Sequence, residues 1–348
     1  MRTSTAGIHD GFFEYVQMDM YSSTPKYLQL AHSILDAIKK GKIKKNILLP
    51  SLNELTYNLE ISRETADKSY KYLQSLGILN TIPGKGHYIT TTEVKQDLRI
   101  CLLINKISNE KKNFYEAFVA KLGMDVPIDF YIYNNDFLLF KKFFSKKTSY
   151  SHYLIMPHFT DSSGKAESLI NTIDKGKLIL LDKKLPAITG NPGLIYENFK
   201  KDIYTALEKA LVPLSRYHTL KLVFPERSYY PKEIIQGFNS FCLQYAFERE
   251  VVGSIEDSGI EAGQVYICLC EDSLIKLLEK IQISDLKVGK DIGVISYNES
   301  PIKKIILNGI TTISTDYRKM GEIAADMIKN NYRGEFELPF TLNIRPSL

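Results

Sequence analysis

The sequence predicts a two-part α/β protein, with a small helix-rich domain at the N-terminus and a larger domain of parallel sheets and helices behind it. Three observations predict this. Residues 20–92 carry helical periodicity with capping signals and end in a glycine-rich hairpin. From about residue 99 onward, short apolar runs alternate with amphipathic stretches. The 348 residues are too many for one ordinary core and suit two domains.

Composition narrows the class. Hydrophobic residues make up 44% and charged residues 24%, as in a water-soluble globular chain. No stretch approaches the ~18 apolar residues of a membrane span. The start, MRTSTAGIHDGFFEYVQMDM, has no apolar core of a signal peptide, so a cytoplasmic location is expected. Cys101, Cys242, Cys268 and Cys270 form no CxxC pair and no zinc-type cluster with histidine, so they read as structural thiols. No metal or other cofactor is expected. Between Tyr21 and Thr90 ten Lys/Arg face five acids, a balance that equals the whole chain's net charge of +5. A basic segment on a neutral body is the footprint of a polyanion binder, although charge alone also fits a solvated surface.

The N-terminal elements follow in order. Pro25 opens a helix in which Leu30, Ala31, Ile34, Leu35 and Ile38 share one face, and Gly41 ends it. Ser51 and Glu54 have capping-box spacing, so a second helix starts there, with Leu52, Leu55 and Leu59 inward. Ser62 is the expected N-cap of a third helix, Arg63 to about Leu76, with Ala66, Tyr70 and Leu73 inward and Gly77 as its left-handed cap. Strands over 78–81 and 87–91 flank a turn at Pro83-Gly84-Lys85-Gly86. Two helices joined by a tight turn, then a hairpin with a basic glycine tip, make a winged helix-turn-helix. A helix N-terminus offers free N–H groups to phosphate. Arg63 has the fork geometry for guanine, and the glycines let Lys85 approach a backbone closely.

The ordered segments PKYLQLAHSILDAIKKGKI, LPSLNEL, ISRETADKSYKYLQSLGIL and PGKGHYI resemble the gluconate-repressor (GntR) family of bacterial regulators over about Pro25 to Thr90. That resemblance implies double-stranded operator DNA as partner. It carries DNA contacts onto Ser51, Asn53, Ser62, Arg63, Thr65, Lys68, Gly84, Lys85 and Gly86. Three positions depart from the pattern. Asn53 replaces the usual arginine, Asp67 stands where some members are basic, and Lys45-Asn46 replace a Pro-Gly.

Residues 93–98 read as a linker and 99–348 as a second domain. Its strands are expected at ICLLI, IDFYIY, HYLIMP, KLILLD, LKLVF, VYICLC and IGVISY. No GxGxxG, P-loop or serine elbow occurs, and the six histidines are scattered, so no enzyme and no catalytic residue is expected. DLKVGKDIGVISYNES, GITTISTDYRKMGEIAADMI and LPFTLNIRPS resemble the effector domains of lactose-repressor-type regulators, which are like periplasmic sugar-binding proteins. The whole organisation is similar to that of arabinose repressors.

The resemblance implies two lobes joined by three crossings, near Glu197-Asn198, Asp316 and 333–338, with a sugar or sugar derivative in the cleft. Polar groups at strand ends face such clefts. Glu271, Asp272, Tyr297, Asn298 and Tyr317 are therefore candidate ligand residues, with Asp316 beside them and Arg227 or Lys232 as the substitute clamp. For Asp272 and Asp316 a helix cap is the alternative. Asn298 replaces the usual aspartate, and Ile234 falls where an arginine clamps the sugar. The expectation is a ligand-controlled homodimeric repressor of carbohydrate genes. The alternative is a ligand-independent regulator with a degenerate sugar domain.

Overall fold

The computed structural model describes residues 10–19, 24–93, 98–124, 126–144, 150–160, 164–226, 228–256 and 258–348. Helix α1 (Asp10–Tyr15) precedes the expected N-terminal domain. Phe12 and Val16 are nevertheless buried in the same core as α2 (Lys26–Lys39), α3 (Leu52–Leu59) and α4 (Arg63–Ser75). That core therefore starts before residue 20. Phe12 of α1 and Val16 just after it join that core, and α1 packs against α2. Strands β1 (Leu79–Ile82) and β2 (Gly86–Ile89) pair antiparallel, Leu79 with Ile89 and Ile82 with Gly86. The wing is widened by an antiparallel bridge from Leu48 to Tyr88.

The described chain divides into two compact units: residues 1–102, 125–131 and 146–153, and residues 103–124, 132–145 and 154–348. The division does not fall at the expected linker, whose residues 94–97 lie outside the described ones. In the first unit, Arg99 Nη2 lies 3.0 Å from Asp129 Oδ2, and its Nη1 lies 3.8 Å from Asp36. Thr24 Oγ1 donates to Asp129 Oδ1, and the Tyr150 hydroxyl donates to Oδ2 at 2.7 Å. Buried charge thus ties segments far apart in sequence into one unit.

The remaining elements build two lobes. The first has β3 (Ile100–Ile104), α5 (Asn109–Leu122), β4 (Ile128–Ile132), α6 (Phe137–Phe144), β5 (His152–Ile155), α7 (Lys165–Ile170), β6 (Leu178–Asp182) and β7 (Gly193–Tyr196). The second has α8 (Phe199–Lys209), α9 (Leu211–Leu214), β8 (Thr219–Val223), α10 (Glu233–Gln244), β9 (Glu248–Val252), β10 (Gln264–Cys268), α11 (Glu271–Gln282), β11 (Ile292–Tyr297) and β12 (Thr311–Thr315). The chain then returns through α12 (Tyr317–Lys329) and β13 (Glu335–Glu337) to the first lobe and ends with β14 (Phe340–Asn343) in the second. The sheet orders are β13-β7-β6-β5-β3-β4 and β14-β12-β11-β10-β8-β9.

All seven apolar runs become strands. Five strands escape that reading: β7, β13 and β14 are short, β9 carries exposed charges, and β12 is polar in sequence although its Thr311 and Thr312 are buried. β14 runs antiparallel to β12, so the second sheet is mixed rather than wholly parallel. Two glycines set helix spacing. A Cβ on Gly237 of α10 would meet the Lys200 carbonyl of α8 at 2.2 Å, and one on Gly321 of α12 would meet the Phe114 carbonyl of α5 at 2.4 Å. Close approach of α12 to α5 brings Tyr317, one turn before Gly321, against Lys111.

Candidate functional site

The first candidate surface is built from two helix starts. Ser51 caps α3 in a full capping box: Glu54 Oε2 accepts from Ser51 N at 2.7 Å while Ser51 Oγ accepts from Glu54 N. Ser62 Oγ caps α4 by accepting from Thr65 N at 3.1 Å, and it also contacts Thr65 Oγ1. Asn53 and Arg63 are exposed, and Arg63 Nη1 donates to Asn53 Oδ1 at 3.1 Å. Asparagine in place of arginine at 53 therefore orients Arg63 instead of adding a second cation. Lys68 is paired with Glu64 at 2.8 Å, and Asp67 with Lys71 at 2.7 Å. Both pairs are exposed and contribute little to stability, so either side chain can re-aim at small cost. In the wing, Gly84 (φ 76°) and Gly86 (φ 105°) adopt left-handed backbone that an L side chain resists, and Lys85 is exposed between them.

The second candidate lies between the lobes, at the carboxyl ends of their strands. From the first lobe, Asn105 follows β3, His158 follows β5, Asp182 ends β6 and Glu197 follows β7. From the second, Tyr229 and Tyr230 follow β8, Glu271 and Asp272 follow β10, and Tyr297 and Asn298 end β11. An outer chamber of about 400 Å³ is lined by Lys106, Glu271, Asp272, Tyr297, Asn298 and Lys303, among others. That volume falls within the range of small-molecule sites. An inner recess of about 50 Å³ adjoins it, lined by Asn105, His158, Asp182, Glu197, Tyr229 and Tyr317, among others.

The recess is held by a charged network. Lys111 Nζ donates to Asp182 Oδ2 at 2.6 Å, and His158 Nε2 lies 2.8 Å from the same oxygen. The Tyr317 hydroxyl lies 2.7 Å from Asp182 Oδ1 and 2.8 Å from Glu197 Oε1. Lys111, His158, Asp182 and Tyr317 are buried and Glu197 is half-buried. Burial alone would raise the Asp182 carboxyl, but Lys111 and His158 override it and hold it well below the usual carboxylate range. Burial and the neighbouring Asp182 push Glu197 well above its usual range. Burial, with Lys111 and Lys183 adding, lowers His158 despite Asp182 and favours the neutral imidazole. Asp182 also sits at φ 76°, a left-handed backbone uncommon outside glycine. Asn105 Oδ1, His158 Nδ1 and the Tyr297 hydroxyl are buried without hydrogen-bond partners.

Of the residues expected here, Tyr297 and Asn298 line both chambers, Glu271 and Asp272 the outer one, and Tyr317 the inner. Asp316 does not line either chamber: its Oδ1 accepts from Lys319 N at 2.9 Å and caps α12. Arg227 lies outside the described residues. Ile234 is buried and borders the recess, so no guanidinium stands at that point. Sequence reasoning missed Asn105, Lys111, His158 and Asp182 and read Glu197 only as a crossing. The strand-end rule that found Asn298 would have found four of these five; Lys111, on a helix, has no such signal.

Comparison with known proteins separates the two parts. Residues 26–89 match the family of bacterial regulatory proteins, gntR family, and residues 217–344 match the periplasmic binding protein-like domain. The chain joins a GntR-type helix-turn-helix to a periplasmic-binding-protein-like domain. It is 37% identical over 75 residues to the HTH-type transcriptional repressor YtrA of Bacillus subtilis, a match spanning 22% of this chain and 58% of that one. Its fold is similar to that of the Lac repressor bound to ONPG, with TM-score 0.59 at 16% identity over 85% of this chain and 95% of that one. A LacI family regulator from Lactobacillus casei with bound glucose superposes with TM-score 0.56 at 13% identity, over 72% of this chain and 99% of that one. Among the described residues no helix is long and apolar enough to cross a membrane.

Proposed function

We propose that the chain is a sequence-specific DNA-binding transcription regulator, a homodimeric repressor of carbohydrate utilisation genes controlled by a sugar or sugar derivative. The reading is carried by one observation: the same chain has a GntR-type head with exposed Arg63 and Lys85, and a separate cleft lined with partnerless buried polar atoms. Arg63 at the start of α4 reads a base edge. Ser51, Ser62 and the Gly84-Lys85-Gly86 tip hold phosphate, and Asn53 aims Arg63. A palindromic operator fits a dimer of such heads. The glucose in the Lactobacillus casei relative supports a sugar as the effector. The ligand changes DNA affinity only through unequal affinity for two states of the lobes, and hinge crossings at Glu197, Asp316 and Leu338 supply those states.

The test has two arms. Selection of operator fragments from random duplexes, repeated with Arg63→Ala, is expected to lose about 1–3 kcal/mol at one base pair, relaxing specificity there. Unchanged operator preference in Arg63→Ala refutes the reading head. In the second arm a sugar at ~100 times its dissociation constant stabilises the protein by about 2.7 kcal/mol and releases the operator. Ile234 favours a second reading, a regulator that binds DNA without a ligand. Operator binding indifferent to every sugar selects it.

A further inference from the structure

Proton counting in the recess goes one step past the sugar reading, on which it rests. The Tyr317 phenol has one hydrogen, yet it lies within 2.8 Å of two carboxylate oxygens. Asp182 is the ionised one, because Lys111 and His158 both point at it. Tyr317 therefore donates to Asp182, and Glu197 carries its own proton and donates to the Tyr317 oxygen.

The same counting fixes what is left for a ligand. His158 uses its Nε2–H on Asp182, so its partnerless Nδ1 is a lone pair. Asn105 donates through Nδ2 to Asn135, so its partnerless Oδ1 is also an acceptor. The nearby cations are engaged. Lys111 is held by Asp182, Lys303 Nζ donates to the Tyr297 and Asn298 carbonyls at 2.9 and 2.8 Å, and Lys106 lies over the Tyr229 ring. Among the described residues the recess thus offers two open acceptors, one unpaired hydroxyl on Tyr297 that can donate or accept, and no free buried cation, a set that a hydroxyl-rich ligand satisfies.

We propose that the inner recess is a hydrogen-bond-accepting subsite for a neutral polyhydroxylated ligand. In it, a proton stored on Glu197 keeps the Asp182–Tyr317 chain intact. A phosphate or carboxylate brings acceptors against Asn105 Oδ1 and His158 Nδ1. A hydroxyl brings the missing donors, and the Tyr229 and Tyr230 rings offer apolar faces beside them. Loss of the Glu197 proton sets two carboxylates on one phenol, so affinity falls as pH rises. The groups facing Glu197 are Asp182, Lys111 and Tyr317 from the first lobe. Tyr297 faces it from the second, and His158 acts through Asp182.

The experiment uses the full chain in calorimetric titrations with neutral aldopentoses and aldohexoses, their phosphate esters and the matching uronic acids. Binding is expected among the neutral sugars, with each ester or acid weaker by about tenfold or more. For the tightest neutral sugar, affinity is expected to weaken as pH rises from 5.5 to 9. Glu197→Gln, whose amide still donates, flattens that profile and keeps the preference for neutral sugars. Binding confined to esters or uronic acids overturns the proposal and leaves sugar control standing. A flat pH profile in the unaltered protein overturns the stored proton. No binding by any of the three classes overturns both this proposal and the sugar reading.

Discussion

Asp129 and Asp182 are two buried carboxylates with near-identical company and different surroundings. Each has a cation and a tyrosine hydroxyl: Arg99 and Tyr150 for Asp129, Lys111 and Tyr317 for Asp182. Around Asp129 both oxygens are taken by groups from separate segments of the first unit, Thr24 among them. Around Asp182 a second carboxylate shares the phenol, a cavity adjoins, and partnerless polar atoms line it. A buried charge pair is by itself a structural tie. The open acceptors and the second carboxylate make the other one a candidate site.

The sharpest way to break this comparison is to neutralise each aspartate. Asp129→Asn and Asp182→Asn are each expected to cost about 3–5 kcal/mol, because either leaves a buried cation uncompensated. Urea denaturation reads that loss. Only Asp182→Asn is expected to abolish the stabilisation that a bound sugar confers; if Asp129→Asn does so equally, the distinction between tie and site fails.

A second difference is in pH response. His32, buried in the first unit with both ring nitrogens partnerless, is lowered by burial, with Arg99 adding, from 6.5 to about 4. Its folded pKa lies below the unfolded value, so its contribution is present above pH 6.5 and lost as pH falls toward 4. The loss is on the order of 3 kcal/mol. Glu197 has the opposite sign: its contribution is full below the ordinary glutamate range and declines as pH rises through the raised value. Urea titrations of His32→Leu are expected to lose the acid-side decline and keep the other. A parallel curve for the variant and the unaltered chain contradicts the assignment.

The smallest effects belong to the head. Ser62→Ala removes the cap of α4 and is expected to cost about 1 kcal/mol of stability. Lys85→Ala leaves stability unchanged and flattens the salt dependence of DNA binding by about one unit in log–log slope. An unaltered slope removes the wing from the phosphate contacts.

The head was legible because its signals are local. A serine three residues before a glutamate and a glycine after an apolar helix each act within one turn, and the helix bounds follow them closely. α1 was not legible, since six residues give no periodicity to read. In the lobes, strands buried on both faces announce themselves as apolar runs, whereas the exposed charges of β9 hide it. The cleft was half legible. Asn298 and Tyr317 follow from motif position, but Lys111 and Asp182 are 71 residues apart and meet only through the tertiary fold. For Asp316 the structure shows the helix-cap alternative, since a residue next to a cleft side chain can spend its carboxylate on its own helix.

Glu197 and Tyr317 sit at two of the three points where the chain passes between the lobes, while Glu271 and Asp272 stand on the first turn of an exposed helix start. On the proposed reading Glu197 and Tyr317 therefore serve the joint and the inner recess at once, whereas Glu271 and Asp272 line only the outer chamber. Substitutions on the α11 turn would then reshape the outer chamber while leaving both crossing residues as they are. In a regulator of the proposed kind the rim is free to drift, while the recess is tied to the joint.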